Sequence, residues 1–175
     1  FGTALSTIII FWKDIVEIVK GLFEFKMNSA AKFTIAIIIS MIPAVLAVLG
    51  LEDQIESMFT GQILLVASML ILTGILLLVA DKAKPSSLEV TNKNALLVGI
   101  AQAIAIAPGI SRSGATIATS VLLNIDREKA ARFSFLMVVP LIFGKMAKDL
   151  LSGDLMAVET SSVALILGFG AAFIT

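Results

Sequence analysis

Between Ala95 and Leu123 the chain reads ALLVGIAQAIAIAPGISRSGATIATSVLL, an apolar stretch broken near its middle by Pro108-Gly109 and carrying one charge, Arg112, at the break. Spanning the hydrocarbon core of a bilayer takes about 20 apolar helical residues. The stretch is long enough for one crossing, yet the break divides it into two helices, roughly Ala95–Ala107 and Gly114–Leu123. Each is too short to cross alone. The segment is therefore either one broken span or a re-entrant hairpin that enters and leaves by the same face.

The rest of the chain sets the context. Hydrophobic residues make up 58% and charged residues only 15%, and the mean hydropathy is +1.04, well outside soluble usage. There is too little charge to cover a soluble surface, so the fold class is an all-α integral membrane protein, a polytopic helical bundle. Lys plus Arg equals Asp plus Glu, with no Cys and no His. That excludes disulfides, Cys-ligated metal and a histidine base within this stretch, and no nucleic-acid partner is expected. Phe33–Gly50 and Gln62–Ala80 carry no charge and are strong span candidates. Phe1–Trp12, Phe133–Leu151 and Ser161–Thr175 supply further ones, with Lys145 and Lys148 able to snorkel and Pro43 and Pro140 tolerated as kinks. Both termini fall inside apolar runs, and no signal-peptide pattern is present. The expectation is a single membrane domain, 1–175, truncated at both ends.

Loop charge chooses between the two arrangements at 95–123. Lys and Arg in short loops mark the inner side. Lys13, Lys20, Lys26 and Lys32 mark 13–32 as inside, and Lys82, Lys84 and Lys93 do the same for 81–94. The segment 51–61 has only Glu52, Asp53 and Glu56 and reads as outside. Arg127, Lys129 and Arg132 place 126–132 inside, and 152–160, without Lys or Arg, outside. A full crossing at 95–123 would put both later loops on the wrong side. The re-entrant hairpin puts every loop right.

Non-helical backbone at membrane depth is tolerated only where it is buried in protein or lines a wet cavity. An arginine there costs about 2.5–3.5 kcal/mol on insertion scales. Both costs fall at Ile110–Ser113, which argues for a site. A guanidinium is a planar fork that matches phosphate oxygens. Ser111, Ser113 and Thr116 add hydroxyls, and Gly109 and Gly114 let backbone N–H groups come close to a ligand. A helix starting near Ser113 would aim its free N–H groups at the same place. The ligand such a nest suits is an oxyanion, phosphate above all. The plainer alternative is a kink, with Arg112 paired to a carboxylate and Ser111 or Ser113 as a helix cap. Gln102 either hydrogen-bonds across the hairpin or joins two helices. Glu17 and Glu24 lie two helical turns apart, but the surrounding lysines favour a solvated loop. Asp126-Arg127-Glu128-Lys129 reads as a charged connector at a helix start.

The run GIAQAIAIAPGISRSGAT, Gly99–Thr116, closely resembles the second signature motif of the undecaprenyl-diphosphate phosphatase (bacitracin-resistance) family. Ala130-Ala131-Arg132-Phe133-Ser134-Phe135-Leu136 followed by Pro140, Ser40-Met41-Ile42-Pro43-Ala44 and Phe11-Trp12-Lys13 resemble other parts of it, so the likeness covers nearly the whole chain. The resemblance implies a bacterial plasma (inner) membrane hydrolase built from inverted repeats. Its members remove the terminal phosphate of undecaprenyl diphosphate and so recycle the lipid carrier of cell-wall synthesis. Ser111, Arg112 and Thr116 match the family's diphosphate-site residues; Gln102, Pro108, Gly109, Ser113 and Gly114 match its framework. The implied partners are undecaprenyl diphosphate and membrane lipid, with room for a homodimer. The family's first motif, two glutamates followed by Pro, Ser, Ser, Thr, Gly and His, is absent. Gly21-Leu22-Phe23-Glu24-Phe25 looks like its start, but Lys26-Met27-Asn28-Ser29 follows. That motif is expected upstream of Phe1, together with the ligands of any divalent cation (magnesium or calcium), so this stretch alone is expected to be inactive. The competing class is a transporter or carrier-lipid flippase, because broken helices also bind anions in transporters.

Overall fold

A computed structural model describes residues 2–23, 28–59, 62–152 and 162–174. Glu24, Lys26 and nearly all of the 152–160 loop read as outside fall beyond them. The helices are α1 (Gly2–Ile10), α2 (Trp12–Phe23), α3 (Ser29–Gly50), α4 (Glu52–Met58), α5 (Ile63–Asp81), α6 (Asn92–Ile104), α7 (Arg112–Leu122), α8 (Arg127–Ser152) and α9 (Ser162–Ile174). The chain divides into two compact units, 1–31 with 135–175, and 32–134.

Among the described residues, α3 and α5, at 22 and 19 residues, are long and apolar enough to cross a membrane. Their exposure agrees with that. On α5, Leu64 is 85% exposed and Ile71, Ile75 and Leu78 are exposed as well. In water each such side chain would forgo roughly 1.5–3 kcal/mol of burial; against lipid it forgoes nothing. The protein is a membrane protein.

Two connections read as loops are partly helical. The segment 13–32 contains most of α2, in which Trp12, Ile15, Val16 and Val19 recur at helical spacing opposite Lys13, Glu17 and Lys20. Counting lysines finds the side of the membrane but overlooks this period, which suits a helix lying along an interface. Glu17 is exposed on it. The segment 51–61 likewise holds α4. In the unit 1–31 with 135–175, α1 packs on α9, and Phe11 stacks on Phe135 with ring centroids 5.7 Å apart.

In the unit 32–134, α6 and α7 fold back on each other, and α7 lies against α5. The open end of this hairpin is tied shut. Leu88, before α6, forms a parallel bridge with Ile125, after α7. The Asp126 N–H donates to the Leu88 carbonyl at 3.1 Å, and the Ser86 hydroxyl donates to the Asn124 carbonyl. The C-terminal end of α5 lies here too: Arg127 donates to the carbonyl of Asp81 (2.6 Å), the last residue of α5, and to that of Ala83 (3.3 Å) just beyond it, and pairs with the Asp81 carboxylate at 3.5 Å. Lys129 pairs with Glu89 at 3.0 Å. Asp126 caps α8 by accepting from the N–H groups of Glu128 and Lys129. Beneath this end lies a small core of Ala80, Ala118, Val121, Ile125 and Ala130. Segment 95–123 therefore enters and leaves at one end of α5.

The hairpin is set closely against α3 as well. A β-carbon on Gly99 would lie 2.8 Å from the Ser40 Cα and against its carbonyl oxygen, and Ser40 is wholly buried. Nothing lies near Gly74 in α5. Gly99→Ala should therefore destabilise the protein by about 1–3 kcal/mol through overpacking, and Gly74→Ala should not, as thermal unfolding in detergent will show. Single cysteines at Ser87 and Glu128 should react with an impermeant thiol reagent from the same side of sealed vesicles. Labelling from opposite sides would mean that 95–123 crosses.

Candidate phosphate site at the hairpin tip

The two half-helices begin and end slightly earlier than their composition suggests. α6 starts at Asn92 because the Thr91 hydroxyl accepts from the Asn94 N–H. It ends as Ile106 and Ala107 donate to the carbonyls of Ala103 and Ile104, tightening the last turn. The Ile110 N–H then reaches the Ala107 carbonyl at 3.3 Å, closing a turn across Pro108-Gly109. Gly109 has φ +92°, so this is the type II pattern, proline at its second residue and glycine at its third. A side chain at Gly109 would also strike the Val66 carbonyl of α5.

Ser111 has extended backbone and is the N-cap of α7; its Oγ accepts from the Gly114 N–H at 3.2 Å. Arg112 is thus the first residue of α7 rather than part of the turn. Of the first-turn amides, those of Arg112 and Ser113 have no partner among the described residues, and the side chains of Ser111 and Ser113 are exposed. The turn is anchored to α5 by Thr73, whose hydroxyl donates to the Met69 carbonyl and accepts the Ser111 N–H at 3.3 Å. Thr73 is eight residues from Asp81, roughly 12 Å along the helix axis, and Val66 is fifteen residues away, roughly 22 Å. The tip therefore lies beside the middle and far part of α5.

Arg112 is half-buried, and its Nη2 donates to Gln102 Oε1 at 2.9 Å. Gln102, which the sequence left between two roles, bonds within the hairpin. Thr116 is placed differently from Ser111 and Arg112. It is wholly buried; its hydroxyl lies 2.6 Å from that of Ser134 on α8 and donates to the carbonyl of Arg112 or Ser113. The set is consistent if the Ser134 hydroxyl donates to Thr116 and the Thr116 hydroxyl donates to the first turn of α7. Thr116 thereby braces the turn that carries Arg112. The structure gathers Gln102, Gly109, Ser111, Arg112, Ser113 and Gly114 around one turn and puts Thr116 one helical turn deeper.

Thr73 escaped the sequence reading, and Ser134 entered it only as part of the resembling segment 130–136, without a role. Thr73 is a hydroxyl in an apolar span, but so is Ser68, whose hydroxyl merely turns back to the Leu65 carbonyl. Nothing local distinguishes the two. Among the described residues no three acidic side chains converge, so the divalent cation implied by the resemblance finds no such ligand group there.

Residues 1–175 match the family described as bacitracin resistance protein BacA. Proteins named undecaprenyl-diphosphatase are similar throughout. One from Christiangramia forsetii is 58% identical, over 99% of this chain and 66% of its own length. Another, from Bacteroides fragilis, is 44% identical, over 99% and 67%. A third, from Caldicellulosiruptor bescii, is 40% identical, over 86% and 58%. The chain thus spans about two thirds or less of the length of these curated relatives. With its second-motif residues assembled on one capped turn beside α5, and matched from end to end, this chain belongs to the bacitracin resistance protein BacA family.

Proposed function

We propose that the protein hydrolyses undecaprenyl diphosphate to undecaprenyl phosphate and phosphate, as a multi-pass protein of the bacterial plasma membrane, so returning the lipid carrier to cell-wall synthesis. Water adds to the terminal phosphorus, and the bond from that phosphorus to the bridging oxygen breaks. In such transfers the protein acts by positioning and by stabilising charge on the phosphoryl oxygens. Arg112 supplies a cationic fork for those oxygens, the free amides of Arg112 and Ser113 point along the positive end of α7, and the exposed hydroxyls of Ser111 and Ser113 complete the set of donors.

The observation that carries this reading is the state of Arg112. It is half-buried at the level of mid-α5, and among the described residues it meets an amide oxygen and no carboxylate. An arginine already paired with a carboxylate would be structural; this one keeps its charge for an anion. The exposed row Leu97, Ile100 and Ile104 on α6 leads along the hairpin to the same tip, a path suited to an isoprenoid chain held in lipid while its headgroup enters. The names of the relatives support phosphate release, and nothing in the comparisons favours transport.

In the full-length protein, Arg112→Ala should lower phosphate release from undecaprenyl diphosphate by at least about 100-fold, the size expected on losing an oxyanion donor, while the melting temperature holds. Turnover near wild type would sink the assignment. Thr73→Val keeps the volume but removes the acceptor of the Ser111 N–H. It should cost about 1 kcal/mol of stability and slow phosphate release, and Thr73→Ser should restore both.

A further inference from the structure

We infer that Gln102 is a positioning residue of one special kind: a neutral tether that aims the Arg112 guanidinium without cancelling its charge. This rests on the reading of Arg112 as the cation that receives the diphosphate. A guanidinium has only donors, so the side of Gln102 that faces it must be the carbonyl oxygen, 2.9 Å from Nη2. That contact fixes the amide the other way round as well, and the Nε2 group is left buried with no partner among the described residues. Gln102 itself is only 2% exposed.

An orphaned buried donor is unfavourable, and a simple substitution would remove it. Glutamate has nearly the same shape, and its two oxygens could take both arms of the fork side by side. It would leave no stranded N–H and would form a stronger bond with Arg112. For stability alone, glutamate is the better residue beside a half-buried arginine. It would also spend the positive charge on the protein. With glutamine the fork is oriented and the charge stays available to a ligand. Among the described residues of the unit 32–134, Asp81 and Glu89 are engaged with Arg127 and Lys129, and Asp126 caps α8, all at the open end of the hairpin. α7 carries no ionisable residue besides Arg112, and on α6 the single one is Lys93, at its start.

The test compares Gln102→Glu with Gln102→Met in the full-length protein, reading melting temperature, calorimetric binding of inorganic pyrophosphate and phosphate release. The Met variant loses the tether, and its pyrophosphate affinity should fall by about tenfold, as for one hydrogen bond to a charged group. The Glu variant should melt at or above the wild-type temperature yet bind pyrophosphate at least about 100-fold more weakly, because the charge-assisted contact is taken by the protein. A tether that serves only the fold requires the reverse order, since glutamate keeps the bond and methionine loses it. A Glu variant that binds as well as the Met variant overturns the proposal. Should the Met variant fail to fold, the Glu variant against wild type decides: unchanged affinity overturns the proposal. Wild-type protein that binds pyrophosphate but releases no phosphate would refute the hydrolase reading and leave the binding order to judge Gln102. Failure to bind pyrophosphate at all would refute both.

Discussion

Ala105 to Ser111 leave the regular helix beside the middle of a 19-residue apolar span, and the peptide groups freed there have no water to turn to if that span crosses lipid. Much of the hairpin can be understood as an answer to that constraint. The donors of Ala105, Ile106 and Ala107 return to the last turn of α6, that of Ile110 closes the turn over Pro108-Gly109, and that of Ser111 reaches Thr73. Proline at the turn's second residue removes one donor altogether. The Ser111 side chain satisfies Gly114. What is left over among the described residues is the Gly109 N–H within the turn and, at the start of α7, the amides of Arg112 and Ser113.

In the proposed hydrolase the remainder is where the chemistry lies. A tip with all of its donors satisfied would be an inert bend; one with all of them open would not hold its shape. Here the rigid part is made by internal bonds and by contact with α5, and the open part is restricted to one short run of backbone and the adjoining side chains. Arg112 follows the same division. Its backbone carbonyl is braced from inside through Thr116 and Ser134, one arm of its guanidinium rests on Gln102, and its charge is not matched by a carboxylate among the described residues. The network holds the residue in place without neutralising it.

The opposite end of the hairpin has the reverse character. Arg127 closes the carbonyl end of α5, Asp126 caps α8, and Leu88 pairs with Ile125. The ion pairs there are exposed and each contributes little, 0–1 kcal/mol or so. The backbone bonds and the small core beneath them hold the two strands of chain together. Whichever way the hairpin meets a membrane, this end joins its two limbs.

Much of this was legible in the order of residues. Apolar run lengths identified α3 and α5 as candidate spans, loop lysines argued for a hairpin at 95–123, Pro108-Gly109 marked a break in the helix, and an arginine between two serines drew attention to that break. These are local properties, settled by hydropathy, steric restriction and charge within a few residues of each other. The amphipathic helix α2 was also legible, but charge counting hid its period. Tertiary structure decided what depends on distant partners. It made Thr73 rather than Ser68 the anchor of the tip, turned Thr116 inward to Ser134, and faced Gln102 toward Arg112 as an acceptor. A hydroxyl or an amide has the same local propensity whichever way it points, and only the packing of α5, α6 and α8 around α7 supplies the partner that gives it a role.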